Sequence, residues 1–233
     1  MQKILKNKSP RFRDKRELAI ALFFAFNISL LIFRVFYSTE FRFIFLIWNL
    51  FLAVVPYFFM EMALKNQQKR WIAWSLFGAS LLFLPNSPYL ITDLFHLKHQ
   101  ASMPLWFDTL LVFSFSITGL LLFYDVLLKM HRFLERQFST VWAIIGIVSI
   151  IFLNAFGVYL GRFLRFNSWD IVSNPFGLAR EILDRIIHPF SHPQTWGVTL
   201  GYGTMFLVGY IMVRILERER KFWLIVNNYQ LLK

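Results

Sequence analysis

Residues 138–161 read FSTVWAIIGIVSIIFLNAFGVYLG, without one Asp, Glu, Lys or Arg. A helix needs about 20 mostly apolar residues to cross a bilayer core of roughly 30 Å. This run is long enough and apolar on every face, so it reads as a membrane span. Cutting the rest of the chain at its charges gives five more candidates. Residues 18–37 end near Arg34, which is expected to snorkel to the interface. Residues 43–64 are uncharged up to Glu61, and residues 105–128 are uncharged between Asp108 and Asp125. Residues 71–92 carry no charge but contain Pro85 and Pro88, and a last candidate covers 195–213. The chain is therefore read as all-α, a polytopic membrane helix bundle of six transmembrane helices. A single membrane domain, 18–216, follows a basic arm, 1–17, and precedes a basic tail, 217–233.

Composition supports this. The 233 residues are 57% hydrophobic and 16% charged, against about 45–50% and about 25% in soluble domains. An ordinary soluble domain and a disordered chain are both excluded. The absence of cysteine excludes disulfides, thiolate metal sites, iron–sulfur clusters and cysteine nucleophiles. No cofactor is implied.

The formal charge is +12, and the basic residues lie between apolar runs. Anionic lipid at the cytoplasmic surface attracts such segments, so no nucleic acid is needed to explain them. Of the 25 Lys and Arg, 18 fall in the arm, the tail and the connections around Lys65 and Lys129, and 7 fall on the other side. The positive-inside rule then places both termini in the cytoplasm of a bacterial plasma membrane. The arm resembles the start of a secretory signal, but the apolar run after it is long and the residues that follow make a poor cleavage site. An uncleaved signal anchor is expected.

The longest connection, 162–194, is expected outside. Asn174 suits a helix N-cap and Pro175 a first helical position. Ala179, Ile182, Leu183, Ile186 and Ile187 then repeat with helical period, while Arg180–Asp184 and Glu181–Arg185 can pair on the opposite face. An amphipathic helix lying in the interface between spans five and six is expected; the alternative is a lid packed on the span tops. His188 and His192 are four apart, but an intervening proline spoils helical geometry, so no metal is assigned. Gly157 with Gly161, and Gly197 with Gly201, have the spacing that permits close helix packing.

Two segments carry most of the information: LPNSPYLITDL at 84–94, with His96 after it, and GRFLRFNSWD at 161–170. With WNLFLA at 48–53 and WFD at 106–108, they resemble the signatures of an uncharacterised family of bacterial multi-pass membrane proteins, a domain of unknown function. The resemblance covers nearly the whole chain. It implies an integral membrane protein and no activity.

The residues themselves add a site. Each proline removes a backbone donor and disfavours helix at the residue before it, so the third span should break or kink near its outer end. Irregular backbone at that depth must be buried in protein or line a wet cavity. Arg162 and Arg165 are helical neighbours on the side that positive charge avoids. Their nearest acidic partners by position are Asp93, Asp108 and Asp170. One reading is an internal salt-bridge network. Another is a site for an anionic or phosphate-bearing lipid head group. It would be built from Asn86, Tyr89, Thr92, Asp93, His96, Asp108, Arg162, Arg165, Asn167, Ser168, Trp169 and Asp170. Asn49 and Asn154 are expected to bond across helices. The alternatives are a small transporter or channel using the broken third helix, and a membrane enzyme in which Asp93 and His96 form an acid–base pair or bind a metal.

Overall fold

A computed structural model describes residues 12–97 and 103–230, with side chains from 17 and up to 219. Most of the basic arm, the end of the tail, and Lys98 and His99 lie outside the described residues.

The described chain is helical, with no strand. Its helices are α1 (Phe12–Ser38), α2 (Phe45–Lys65), α3 (Arg70–Phe83), α4 (Asn86–Tyr89), α5 (Leu105–Gln137), α6 (Thr140–Phe163), α7 (Asp170–Ser173), α8 (Pro175–Ile187) and α9 (Pro193–Gln230). A 3₁₀ segment, Leu90–His96, continues α4. Among the described residues, five helices (α1, α2, α5, α6 and α9) are long and apolar enough to cross a membrane. The expected third span is divided. α3 holds only 14 residues, about 21 Å at 1.5 Å per residue, which is short of a bilayer core.

α5 is the axis of the bundle. Its 33 residues rise about 50 Å, and two-thirds of its most apolar stretch is buried. α1, α2, α4, the 3₁₀ segment, α6 and α9 all pack on it. Phe115, Phe123 and Phe133 fill the centre, each with 1% exposure or less. α1 and α9 are the most open, with only 17% and 22% of their apolar stretches buried. Their remaining apolar surface faces outward, as expected of helices wrapped by lipid.

The proline segment departs from expectation in degree. Leu84, Pro85, Tyr89 and Leu90 all keep right-handed helical backbone angles. The chain keeps coiling in the same sense, tightened rather than opened. Pro85 and Pro88 have no N–H to give, so nearby bonds shorten to Ser87 N–H on Leu84 O (3.1 Å) and side chains take up the released carbonyls. Asn86 Nδ2 donates to Phe83 O (2.8 Å), Ser168 Oγ to Leu82 O (3.2 Å) and Ser116 Oγ to Leu90 O (2.9 Å), while Ser87 Oγ ties the segment to α2 by donating to Ala53 O (2.8 Å). Gly119 of α5 has no side chain because the Ser87 carbonyl and Leu90 occupy that space.

Several expectations are corrected. Arg34 does not snorkel: it is fully buried against Asp108. Gly157 and Gly161 do face a neighbour, the rings of Pro85 and Tyr89, but Gly197 and Gly201 have nothing within 4 Å. Asn49 bonds across helices to Asp93 (2.9 Å), whereas Asn154 donates to Ile150 O in its own helix (2.8 Å). Glu61 and Asp125 share one partner. Both pair with Lys129, at 2.8 and 2.5 Å, and the ammonium lies 3.5 Å from the Tyr57 ring centre. At the same end, His131 bonds Tyr210, and Arg214 pairs with Glu135 at 2.7 Å.

Candidate functional site

α4 packs on α6, and the 3₁₀ segment after it meets the end of α6 at Arg162. There Arg162 spends its guanidinium on the segment. Nε donates to Thr92 Oγ1 (2.8 Å), Nη2 to Asp93 Oδ1 (2.6 Å) and Nη1 to His96 Nε2 (2.8 Å). The Tyr89 ring lies 4.7 Å from its central carbon. Asn49 Nδ2 supplies the second carboxylate oxygen of Asp93. Asp93 is 1% exposed and Arg162 11%, so the pair is one of the few arrangements that tolerates a buried charge, with opposite charge and hydrogen bonds together. Because arginine can only donate, the His96 proton sits on Nδ1 in this bond.

The expected partners sort differently from their sequence positions. Asp93 takes Arg162. Asp108 does not join them: it lies at the start of α5, 2% exposed, and takes Arg34 (2.8 Å). Asp170 does not pair with either arginine. It accepts from the Asn167 backbone N–H (2.6 Å) and from Ser173 Oγ (2.8 Å) and starts α7; the Asn167 bond above all holds its carboxyl below the ordinary range. Arg165 is exposed, and no carboxylate pairs with it among the described residues. Its φ of 62° is the left-handed conformation that usually falls to glycine after a helix. This cap turns the chain so that Asn167 and Ser168 come back over α3, where Asn86 Nδ2 donates to Ser168 Oγ (2.9 Å). Trp169 is 41% exposed on the turn.

Beside this network lies a cleft of about 490 Å³, inside the usual range for ligand pockets. α2, α3 and α6 form its walls, and residues 166–182 close one end. Along α6 it runs from Leu153 to Gly161, about 12 Å at 1.5 Å per residue. The walls are apolar: Leu52, Leu81, Leu82, Phe156 and Leu160. Its polar groups gather at one end and are Asn49, Asn86, Tyr89, Asn167 and Ser168, with no charged residue among them. Gly78 helps to line the opposite part, and a Cβ there would meet nothing within 4 Å. Of the twelve site residues expected from sequence, Asn86, Tyr89, Asn167 and Ser168 line the cleft; Thr92, Asp93, His96 and Arg162 stand behind it. Gly78, Leu153 and Phe156 were not anticipated, because they are ordinary residues of membrane helices.

α8 runs from Pro175 to Ile187, with the Asn174 side chain accepting from Gly177 N–H at 3.2 Å. Glu181 pairs with Arg185 (2.5 Å), but Arg185 is buried towards Tyr159 and does not share the open face. Asp184 leaves Arg180 and takes both His188 (3.0 Å) and His192 (2.8 Å), which hold its carboxyl below the ordinary range. Val172, Phe176, Ile187 and Phe190 stand exposed along α7, α8 and the turn after them.

The model of the family described as "Protein of unknown function (DUF1361)" matches residues 48–208. That span contains the proline segment, the Asp93–Arg162 pair, the cleft and α8. Among curated proteins and among solved structures nothing matches the chain. The match covers well over half of the chain, which belongs to this family of unknown function and has the apolar helices of an integral membrane protein.

Proposed function

We propose that this protein binds a single amphiphilic lipid, with an anionic head group, in the cleft between α2, α3 and α6. The observation that carries this is the polarity of the cleft. Its walls are apolar for about 12 Å and its polar groups sit at one end only. One leaflet of a 30 Å core is about 15 Å deep, so the cleft matches the depth of a chain entering from one leaflet. Arg165 supplies the anion contact: it is exposed and within electrostatic reach of Tyr89, which lines the polar end.

This reading takes the 71–92 segment as a sixth, divided span, with both termini in the cytoplasm of a bacterial plasma membrane. The polar end of the cleft then faces outward. The exposed apolar residues of α7 and α8 lie in the outer interface, where an amphipathic helix is stable. Single cysteines test the orientation, since the native chain has none. Ser173→Cys reacts with an impermeant thiol reagent in intact cells and Gln68→Cys does not; the opposite pattern overturns the topology.

Gly78→Leu tests the cleft itself. The new side chain enters open space, so the fold is retained, while one leucine is large enough to block a chain of methylenes. Native mass spectrometry of gently extracted protein is expected to show a retained lipid on wild type and none on Gly78→Leu at equal thermal stability. Equal retention by both proteins refutes the reading.

A further inference from the structure

We infer that the bound head group carries hydroxyl groups that donate hydrogen bonds, as in a glycerol or glycosyl head group. This rests on the lipid-binding reading above and adds the chemistry of its polar end. Asn49 spends its amide nitrogen on Asp93, and since a carboxylate only accepts, the amide orientation is fixed. Asn86 spends its nitrogen on Phe83 O and Ser168 Oγ, and a carbonyl likewise fixes the orientation. Ser168 gives its proton to Leu82 O. The polar end therefore offers the Asn49 and Asn86 carboxamide oxygens as acceptors, beside the Tyr89 hydroxyl, which can donate as well as accept. Among the described residues, neither carboxamide oxygen receives a donor.

An ionised phosphate has only acceptor oxygens and cannot bond the two carboxamide oxygens. A hydroxyl meets them with hydrogen bonds. An ammonium would also donate, but no carboxylate lines the cleft. The nearest one, Asp93, has both oxygens engaged and its charge matched by Arg162. Nothing there compensates the cost of stripping water from a cation. The phosphate of an anionic lipid belongs instead at the rim, with Arg165, while the hydroxyls beyond it reach Asn49 and Asn86.

The test exchanges three probe lipids with matched acyl chains onto delipidated protein: phosphatidylglycerol, phosphatidate and glucosyl diacylglycerol. Native mass spectrometry reads retention, and phosphatidylethanolamine serves as the ammonium control. Wild type is expected to retain phosphatidylglycerol about tenfold over phosphatidate and over phosphatidylethanolamine, one to two hydrogen bonds' worth of preference. Asn86→Leu is expected to lower that preference to about one. Tyr89→Phe, which keeps the ring beneath Arg162 and removes only a hydroxyl that serves phosphate and hydroxyl head groups alike, is expected to leave that preference near tenfold; where Asn86→Leu does not fold, the wild-type preference itself decides. Equal retention of phosphatidate and phosphatidylglycerol, unchanged in both variants, overturns the hydroxyl assignment and leaves the lipid site standing. Equal retention of glucosyl diacylglycerol and phosphatidylglycerol, unchanged by Arg165→Ala, overturns the anionic part of the function and supports the hydroxyl assignment. No retention of any probe by wild type overturns the lipid site itself.

Discussion

Asp108→Ala is expected to cost about 3–5 kcal/mol of stability, a loss that few single substitutions reach. Arg34 is fully buried, and its partner carboxylate is 3% exposed. Both Asp108 oxygens receive the guanidinium, Nε at 2.8 Å and Nη2 at 3.4 Å. The remaining contacts of Arg34 bring no second close carboxylate: Nη1 donates to Ser38 Oγ (3.3 Å) and to the Glu40 carbonyl (3.4 Å), the Glu40 carboxylate lies at 3.8 Å and is 43% exposed, and the Phe43 ring centre lies at 4.7 Å. Removing the carboxylate leaves a charge that can neither reach water nor lose its proton. The pair is not intrinsically stabilising in proportion, because burying it cost desolvation in the first place. The double variant Arg34→Met with Asp108→Leu should therefore recover most of the loss. Thermal unfolding in one detergent measures all three proteins. A single variant as stable as wild type would show that water reaches Arg34.

Asp93→Ala is expected to cost about 3 kcal/mol, towards the lower end of the same range. Arg162 is 11% exposed and keeps Thr92, His96 and the Tyr89 ring, so its charge is less stranded than that of Arg34. The carboxylate also holds Asn49. Losing it frees the Asn49 amide to turn and present a donor to the cleft, so the head-group preference should weaken along with stability. Asp93→Asn keeps the shape but loses the ion pair. It should fall between wild type and alanine in stability. A variant that loses lipid while keeping full stability would show that Asp93 acts on the ligand directly and not through Arg162 and Asn49.

The two arginine pairs show how far sequence carries. Composition and the apolar runs were enough for an all-helical membrane protein, because crossing a bilayer constrains length and polarity so tightly. The pairing of Arg162 with Asp93 was among the readings open from position. The pairing of Arg34 with Asp108 was not, because snorkelling is the usual outcome for an arginine near a span end. What decides it is that α1 packs on α5 with Arg34 facing inward, which no local pattern encodes. The cleft was illegible for a similar reason. Leu153 and Phe156 of α6 and Gly78 of α3 come to line one cleft only through tertiary packing. The third segment was legible in part. Two prolines foretold a disturbance, but whether such a helix opens or tightens depends on which side chains take the freed carbonyls. Here Asn86, Ser116 and Ser168 do so.

An electron cryo-microscopy structure of the wild-type protein in nanodiscs of native lipid tests the central claim most directly. Continuous density is expected for one chain along Leu81, Leu82 and Phe156, ending in a head group within hydrogen-bonding distance of Asn49 and Asn86. A cleft closed by inward movement of those same side chains, with lipid ordered only on its outside, would contradict it.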